Sequence, residues 1–378
     1  MYGIDRDEKG TGVAGRREKL FLRQRITDVI RSWFRAGDFL EAEVPLLVSG
    51  TTPDPFIQSF RCDGKYLTTS TEYQIKRMAA AGFEKVYTLT KNFRQGEADR
   101  THNPEFTMLE WARCEAAARC EAAACCEVSP RREALSPYEE APANSGSDFR
   151  TDPGALYMEV IEADAIAVIR SVCNELFPGR DTIEYQGNSI SLAPESWERV
   201  TFQELFSDTY GIAIPDAYDP PELVSLAERA GLEVEPFFRD NPGFLLSDLL
   251  DRAIKKLGFR NPVLIQKWPA SMTSSADCGS PESFWVHRTE IIIGGLEIAD
   301  GFPFLRDYGM QKQFFANALT VRSGEGLPPV ELDEKYLEAL RTGLPRGAGM
   351  ALGVDRLCML FTDSRDIRDV LCFAWDEL

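Results

Sequence analysis

The sequence predicts a mixed α/β fold, of the α+β kind. Three observations predict it. Leu20, Ile26, Ile30, Trp33 and Phe34 recur near the 3.6-residue period of an amphipathic helix. Residues 85–93, KVYTLTKNF, alternate with the two-residue period of a strand. No regular strand–helix–strand rhythm runs along the chain and no GxxxxGKS or GxxxxGKT occurs, which weighs against Rossmann and P-loop architectures.

Taken in order, residues 1–17 read as a flexible polar leader. The first helix ends at Gly37, and a short strand over 39–44 is stopped by Pro45. A Pro/Thr-rich loop covers 50–60. A strand end at 66–69 leads into a helix reaching about Ala81. The strand over 85–93 and a second over 106–111 are joined by the polar loop 94–103. The stretch 115–126 is Ala/Glu/Cys-rich and helical in propensity, and 129–153 holds the Pro, Ser, Gly and Asp of a loop. A helix resumes near Tyr157 and runs toward Leu176. Residues 190–260 read as a mostly helical subdomain, with helices near 200–207, 221–230 and 244–257. Short apolar strands are expected at 263–266 and 290–299. A last helix at 332–342 precedes GAGMALGVDRLCML, a strand feeding a helix.

The chain has 378 residues, enough for one large domain or two medium ones, and an ordinary globular composition. Its formal net charge of -18 opposes general attraction to nucleic acid or anionic membranes. No apolar run reaches the length of a membrane span, and the N-terminus lacks the apolar core of a signal peptide. Nine cysteines at irregular spacing do not form a disulfide framework, so a reducing cytoplasm is expected. Cys114, Cys120, Cys125 and Cys126 lack a CxxC pair and read as incidental thiols on a helix rather than as a zinc site.

Three separated stretches carry chemistry: FLEAEVPLL at 39–47, FRQGEADRTHNPEFTMLE at 93–110, and GMALGVDRL at 349–357. In order and spacing they resemble the signature motifs of class II aminoacyl-tRNA synthetases. Within that class the chain resembles the lysyl branch, and within the branch the short paralogues that attach β-lysine to elongation factor P. The resemblance covers about residues 18–378, a single catalytic domain interrupted by an insertion at 113–153. It implies an antiparallel sheet of about six strands flanked by helices, and a homodimer with the region around Pro45 at the interface.

The chemistry of the residues agrees. Forming an acyl-adenylate needs positive charge around a pentacoordinate phosphorus and the departing pyrophosphate. Arg94 has the planar donor fork to grip a carboxylate and the α-phosphate of ATP together. Arg100 and His102 would address the outer phosphates, and Arg356 the terminal one, after the glycines that include Gly353. Phe106 would stack on adenine. Glu290 and Glu297, seven residues apart across an apolar run, resemble the family's Mg²⁺ carboxylates. The motif's Glu two residues after the arginine is Gly96 here, with Glu97 next to it as a substitute.

The resemblance also bears on which acid is activated. Glu72 and Glu110 match the positions that hold the substrate's α-amino group in the lysyl branch. Phe304 stands where that branch has the Glu that recognises a distal ammonium, Asp300 replaces an Asn, and Ala112 replaces an aromatic residue. These changes point away from plain lysine, with Phe304 and Ala112 expected at the side-chain end of the pocket. Ala351 matches the β-lysine paralogue rather than the lysyl enzymes, which have Gly. Only about 18 residues precede the first motif, so an anticodon-binding domain is not expected. The reading preferred is activation of an amino acid and its transfer to a protein, a carrier or a small molecule. Three others stay open: β-lysine transfer to elongation factor P, acceptor-stem-only tRNA charging, and an inactive binding protein.

Overall fold

The computed structural model describes residues 13–115, 153–215, 220–240, 244–273, 275–277 and 283–378. The expectations for the leader, and for most of the insertion with Cys120, Cys125 and Cys126, lie outside the described residues. In chain order the elements are α1 (Arg17–Ala36), β1 (Leu40–Glu41), β2 (Leu47–Val48), β3 (Arg61–Cys62), β4 (Lys65–Leu67), α2 (Glu72–Ala80), β5 (Lys85–Phe93) and β6 (Glu105–Cys114). Then come α3 (Pro153–Leu176), β7 (Thr182–Tyr185), β8 (Asn188–Ser191), β9 (Glu198–Thr201), α4 (Phe202–Tyr210), α5 (Pro220–Arg229), α6 (Pro236–Asp240) and α7 (Leu245–Ile254). The chain closes with β10 (Val263–Pro269), β11 (Trp285–Ile293), β12 (Leu296–Pro303), α8 (Tyr308–Gly324), α9 (Glu334–Thr342), β13 (Gly347–Gly353) and α10 (Val354–Phe361).

Eight strands form the main sheet, in the order β1-β5-β6-β13-β12-β11-β10-β9. The six inner strands pair antiparallel, and the two edge strands β1 and β9 pair parallel with their neighbours. The sheet is therefore two strands wider than expected. The edge strands are two and four residues long and too short to show a period of two.

Alternation along the central strands separates two faces. Leu109 and Trp111 of β6, Ala348, Met350 and Leu352 of β13, Ile298 of β12, and Ile291 and Ile293 of β11 enter one large core with residues of α1, α3 and α10. Glu110, Gly349, Ala351, Glu297, Asp300, Arg288 and Glu290 are drawn from the same four strands and line cavities over the opposite face. A smaller apolar cluster from α2, α9, Phe304 and Phe315 closes one end of that face.

Two expectations need correction. The run 290–299 is not one strand: Gly294 and Gly295, at φ 60° and 75°, make a two-residue turn between β11 and β12. Glu290 and Glu297 thus lie on adjacent antiparallel strands. A Cβ at Gly294 would come within 2.5 Å of the Tyr185 ring, so the turn needs glycine for space as well as for φ. The segment 190–260 holds α4, α5, α6 and α7, together with β9 of the main sheet and the end of β8, which pairs with β7. Finally, α8 was not anticipated. Its buried residues are Gln311, Phe315 and Arg322, which make no apolar stripe. Among the described residues, no helix is long and apolar enough to cross a membrane.

Candidate active site

Two cavities adjoin over the polar face of the sheet, of about 220 Å³ and 320 Å³. The walls of both include Arg94, Arg288, Asp300 and Ala351. Arg94 follows the last residue of β5. Its backbone N–H donates to the Pro104 carbonyl at 2.9 Å, which closes the loop between β5 and β6. Its guanidinium lies 5.3 Å from the Phe106 ring centroid and 3.7 Å from Glu97. Gly96 takes φ 89°, a left-handed turn that glycine allows freely, and Glu97 beside it lines the second cavity.

The first cavity holds Glu72 and Glu110. Glu110 of β6 is buried and accepts from the Ser70 hydroxyl at 2.9 Å and the Thr71 N–H at 2.7 Å. Burial pushes its carboxyl up to about 7, and the neighbouring charge of Glu72 adds to the shift. Glu72, in the first turn of α2, accepts from Lys76 one turn later at 2.6 Å. Phe304 lines this cavity too, and its side chain also belongs to the apolar cluster of α2 and α9. Ala112 is a correction. It shares the strand face of Glu110 but lies buried in that cluster and does not line either cavity. It pairs with Gly349 across β6 and β13, and a Cβ at Gly349 would meet the Phe304 ring at 3.2 Å. The small residues there accommodate the phenylalanine instead of enlarging the pocket.

The second cavity collects Glu97, His102, Phe106, Glu290, Glu297, Gly353 and Arg356. Arg356 donates to the Glu297 carbonyl at 2.8 Å and meets His102 Nε2 at 2.5 Å, while His102 Nδ1 lies 3.0 Å from Asp99. Asp355, missed from sequence, sets this arginine's place. It is buried, accepts from the Thr107 N–H at 2.7 Å and pairs with Arg23 of α1. Arg100 is a second correction. Its side chain is exposed and lines neither cavity, while its carbonyl accepts from the Ile367 N–H at 2.8 Å.

Arg288, also missed, is a hub. It donates to Asp300 at 2.8 Å, to Glu290 at 2.8 Å and to the Met272 carbonyl at 2.6 Å, and stacks 4.2 Å from the Trp268 ring centroid. Glu290's carboxyl sits well above the usual carboxylate range, through burial first and then the charge of Glu297. Burial raises Glu297 as well, but Arg356, Arg288 and Arg94 together hold it below its ordinary value. Two carboxylates lining one cavity, with the charge of Glu297 raising Glu290, are hard oxygen ligands suited to Mg²⁺. Among the described residues no three His, Cys, Asp or Glu side chains group to hold a metal by themselves. The pair therefore fits an ion whose remaining ligands are phosphate oxygens and water.

A mostly antiparallel sheet flanked by helices, with this pair of cavities over one face, is a class II synthetase fold. The chain belongs to the class II tRNA synthetases (D, K and N), whose family model matches residues 14–119 and 155–377. It is similar to a lysine–tRNA ligase of Synechococcus sp. (strain RCC307), 29% identical over 362 residues, covering 94% of this chain and 63% of that protein. A lysine–tRNA ligase of Synechococcus sp. (strain CC9605) is 31% identical with the same coverage. One of Prochlorococcus marinus (strain MIT 9211) is 31% identical over 357 residues, covering 92% and 62%. The chain spans a little under two thirds of the length of these relatives.

Proposed function

We propose that this protein activates an amino acid other than plain lysine as its aminoacyl-adenylate, consuming ATP and releasing pyrophosphate. One observation carries the reading: Arg94 stands in the wall common to both cavities. An amino acid in the first cavity and ATP in the second would meet at its guanidinium. The carboxylate oxygen attacks the α-phosphorus, the bond from that phosphorus to the bridging oxygen breaks, and pyrophosphate leaves. Arg94 holds the carboxylate and the α-phosphate in line, and its charge offsets the charge that builds there.

The remaining roles follow from placement. Glu72 and Glu110 take the α-amino group. Phe106 offers a ring for adenine, with Glu97 beside it. His102 and Arg356 take the outer phosphates, and Gly353 leaves the start of α10 open to them. Glu290 and Glu297 would hold Mg²⁺, which neutralises phosphate charge when bound. Ala351 and Asp300 shape the seam between acid and nucleotide.

The acceptor proposed is a protein, a carrier or a small molecule rather than tRNA, a choice supported by the net charge of -18. A homodimer packed near Pro45 belongs to the same reading. Leu40 and Leu47 stand 43% and 42% exposed on either side of that proline.

ATP–pyrophosphate exchange over a panel of α- and β-amino acids tests the activation step. At least one acid should support exchange, and Arg94→Ala should lower it by about 10²–10³-fold with an unchanged circular dichroism spectrum. Exchange with no acid while ATP still binds would refute activation. Retained exchange in the variant would refute the role of Arg94.

A further inference from the structure

Among the described residues, five carboxylates line the first cavity, those of Asp54, Glu72, Glu110, Asp300 and Asp333. Each is already engaged by the protein. Lys76 donates to Glu72 at 2.6 Å and Arg288 to Asp300 at 2.8 Å. Ser70 and Thr71 donate to Glu110. Asp333 caps α9 by accepting from the Lys335 and Tyr336 N–H groups, and Asp54 accepts from the Phe56 N–H at 2.8 Å. Glu72 and Glu110 together can still hold one α-ammonium. Among the described residues, a second ammonium finds no lining carboxylate without a partner.

The wall made by Phe302, Phe304 and Ser275 explains what replaces it. Lys76 is fully buried behind this wall and does not itself line the cavity. Its Nζ lies 5.5 Å, 5.3 Å and 5.7 Å from the ring centroids of Phe302, Phe304 and Tyr336, and 3.4 Å from the Ser275 carbonyl. Aromatic faces, a carbonyl and one carboxylate make a cage for a single ammonium. The protein fills that cage from its own chain. A substrate ammonium brought to the other side of the Phe304 ring would meet like charge across an apolar wall, unpaired and stripped of water. A neutral tail beside this wall would meet the Phe302 and Phe304 rings without that repulsion.

We propose that Lys76 and Phe304 act together as selectivity residues, restricting the activated substrate to amino acids with an uncharged side chain. The inference rests on the first cavity being the amino-acid site, as argued above. Lysine and norleucine test it cleanly, because they differ only by the terminal ammonium. Binding is measured by calorimetry on the full chain with a non-hydrolysable ATP analogue, alongside exchange with ATP. Leucine, methionine and phenylalanine extend the neutral set, and ornithine and β-lysine the cationic one.

The tightest neutral acid should bind about 100-fold better than any cationic one. A cationic acid that binds as well as the best neutral one, or a neutral set that does not bind at all, overturns the proposal. Selective binding without exchange would support this inference and refute activation, so the two failures are distinguishable. Lys76→Met should release Glu72 and shift the lysine-to-norleucine affinity ratio toward lysine by about tenfold. Phe304→Glu, which adds a carboxylate at the wall, should shift it in the same direction. Wild-type ratios retained in both folded variants would overturn the assignment of these residues.

Discussion

Burial and charge oppose each other at Glu110. Its carboxyl is raised to about 7 in the folded chain, against an ordinary value of 4.5. Between those two pH values the folded protein keeps a proton that the unfolded chain has released. Its contribution to stability is therefore full below pH 4.5 and is lost as pH rises through about 7. The loss totals about 3 kcal/mol at 1.36 kcal/mol per unit. Glu110→Gln cannot titrate, so its urea-unfolding free energy should fall about 3 kcal/mol less across this window than wild type's. Equal pH slopes in the two proteins would contradict the burial argument. Amino-acid binding should tighten with rising pH in wild type, as ionised Glu110 becomes able to pair with the α-ammonium, and the variant should lose that dependence. The residue type and the motif were legible in the sequence. The raised pKa was not, because it comes from the elements packed around the side chain.

Among the elements, α10 bears most directly on phosphate handling. It starts at Val354, just after Gly353, and its second and third residues are Asp355 and Arg356. Asp355 ties α10 to β6 through Thr107 and to α1 through Arg23, whose side chain is only 16% exposed. Removing one member of a buried pair leaves the other charge uncompensated. Asp355→Ala should cost about 3–5 kcal/mol in chemical denaturation. A loss below about 1 kcal/mol would show that the pair behaves as a surface ion pair. The motif DRL pointed to Arg356 but gave no sign that its neighbour anchors two other elements. The turn between β11 and β12 is a related case. The apolar run 290–299 concealed it, although a Gly-Gly pair between apolar runs is a hairpin signal.

At the scale of the whole molecule, charge and sheet geometry set the terms. With a net charge of -18, the chain should not retain unfractionated tRNA in a gel shift near 150 mM salt. Micromolar binding that weakens steeply with added salt would instead favour acceptor-stem aminoacylation. Over the central strands, one face of the sheet enters the large core and the other lines the site, with apolar clusters beside it. Period-two alternation in β5 made part of that division readable in advance. The strand β1 was expected at 39–44, but the short edge strand β9 and the helix α8 escaped notice. Neither of them carries enough periodic apolar residues to be distinguished locally, and long-range pairing and packing define them.

The sequence by itself determined the mixed fold, the order of the three motifs, and a set of site residues most of which face the two cavities. Those are local matters of residue type, spacing and side-chain alternation. Only the tertiary structure decided how they meet: Arg94 between the cavities, Glu290 beside Glu297 on adjacent strands, Ala112 beneath Phe304, Arg100 turned to solvent. It also brought in Arg288 and Lys76, which no motif marked. Their partners lie on the same element, at Glu290 and Glu72, and on strands and walls brought close by folding, at Asp300, Phe302 and Phe304. Burial then makes those contacts decisive, because a charge removed from water must find its partner within the fold.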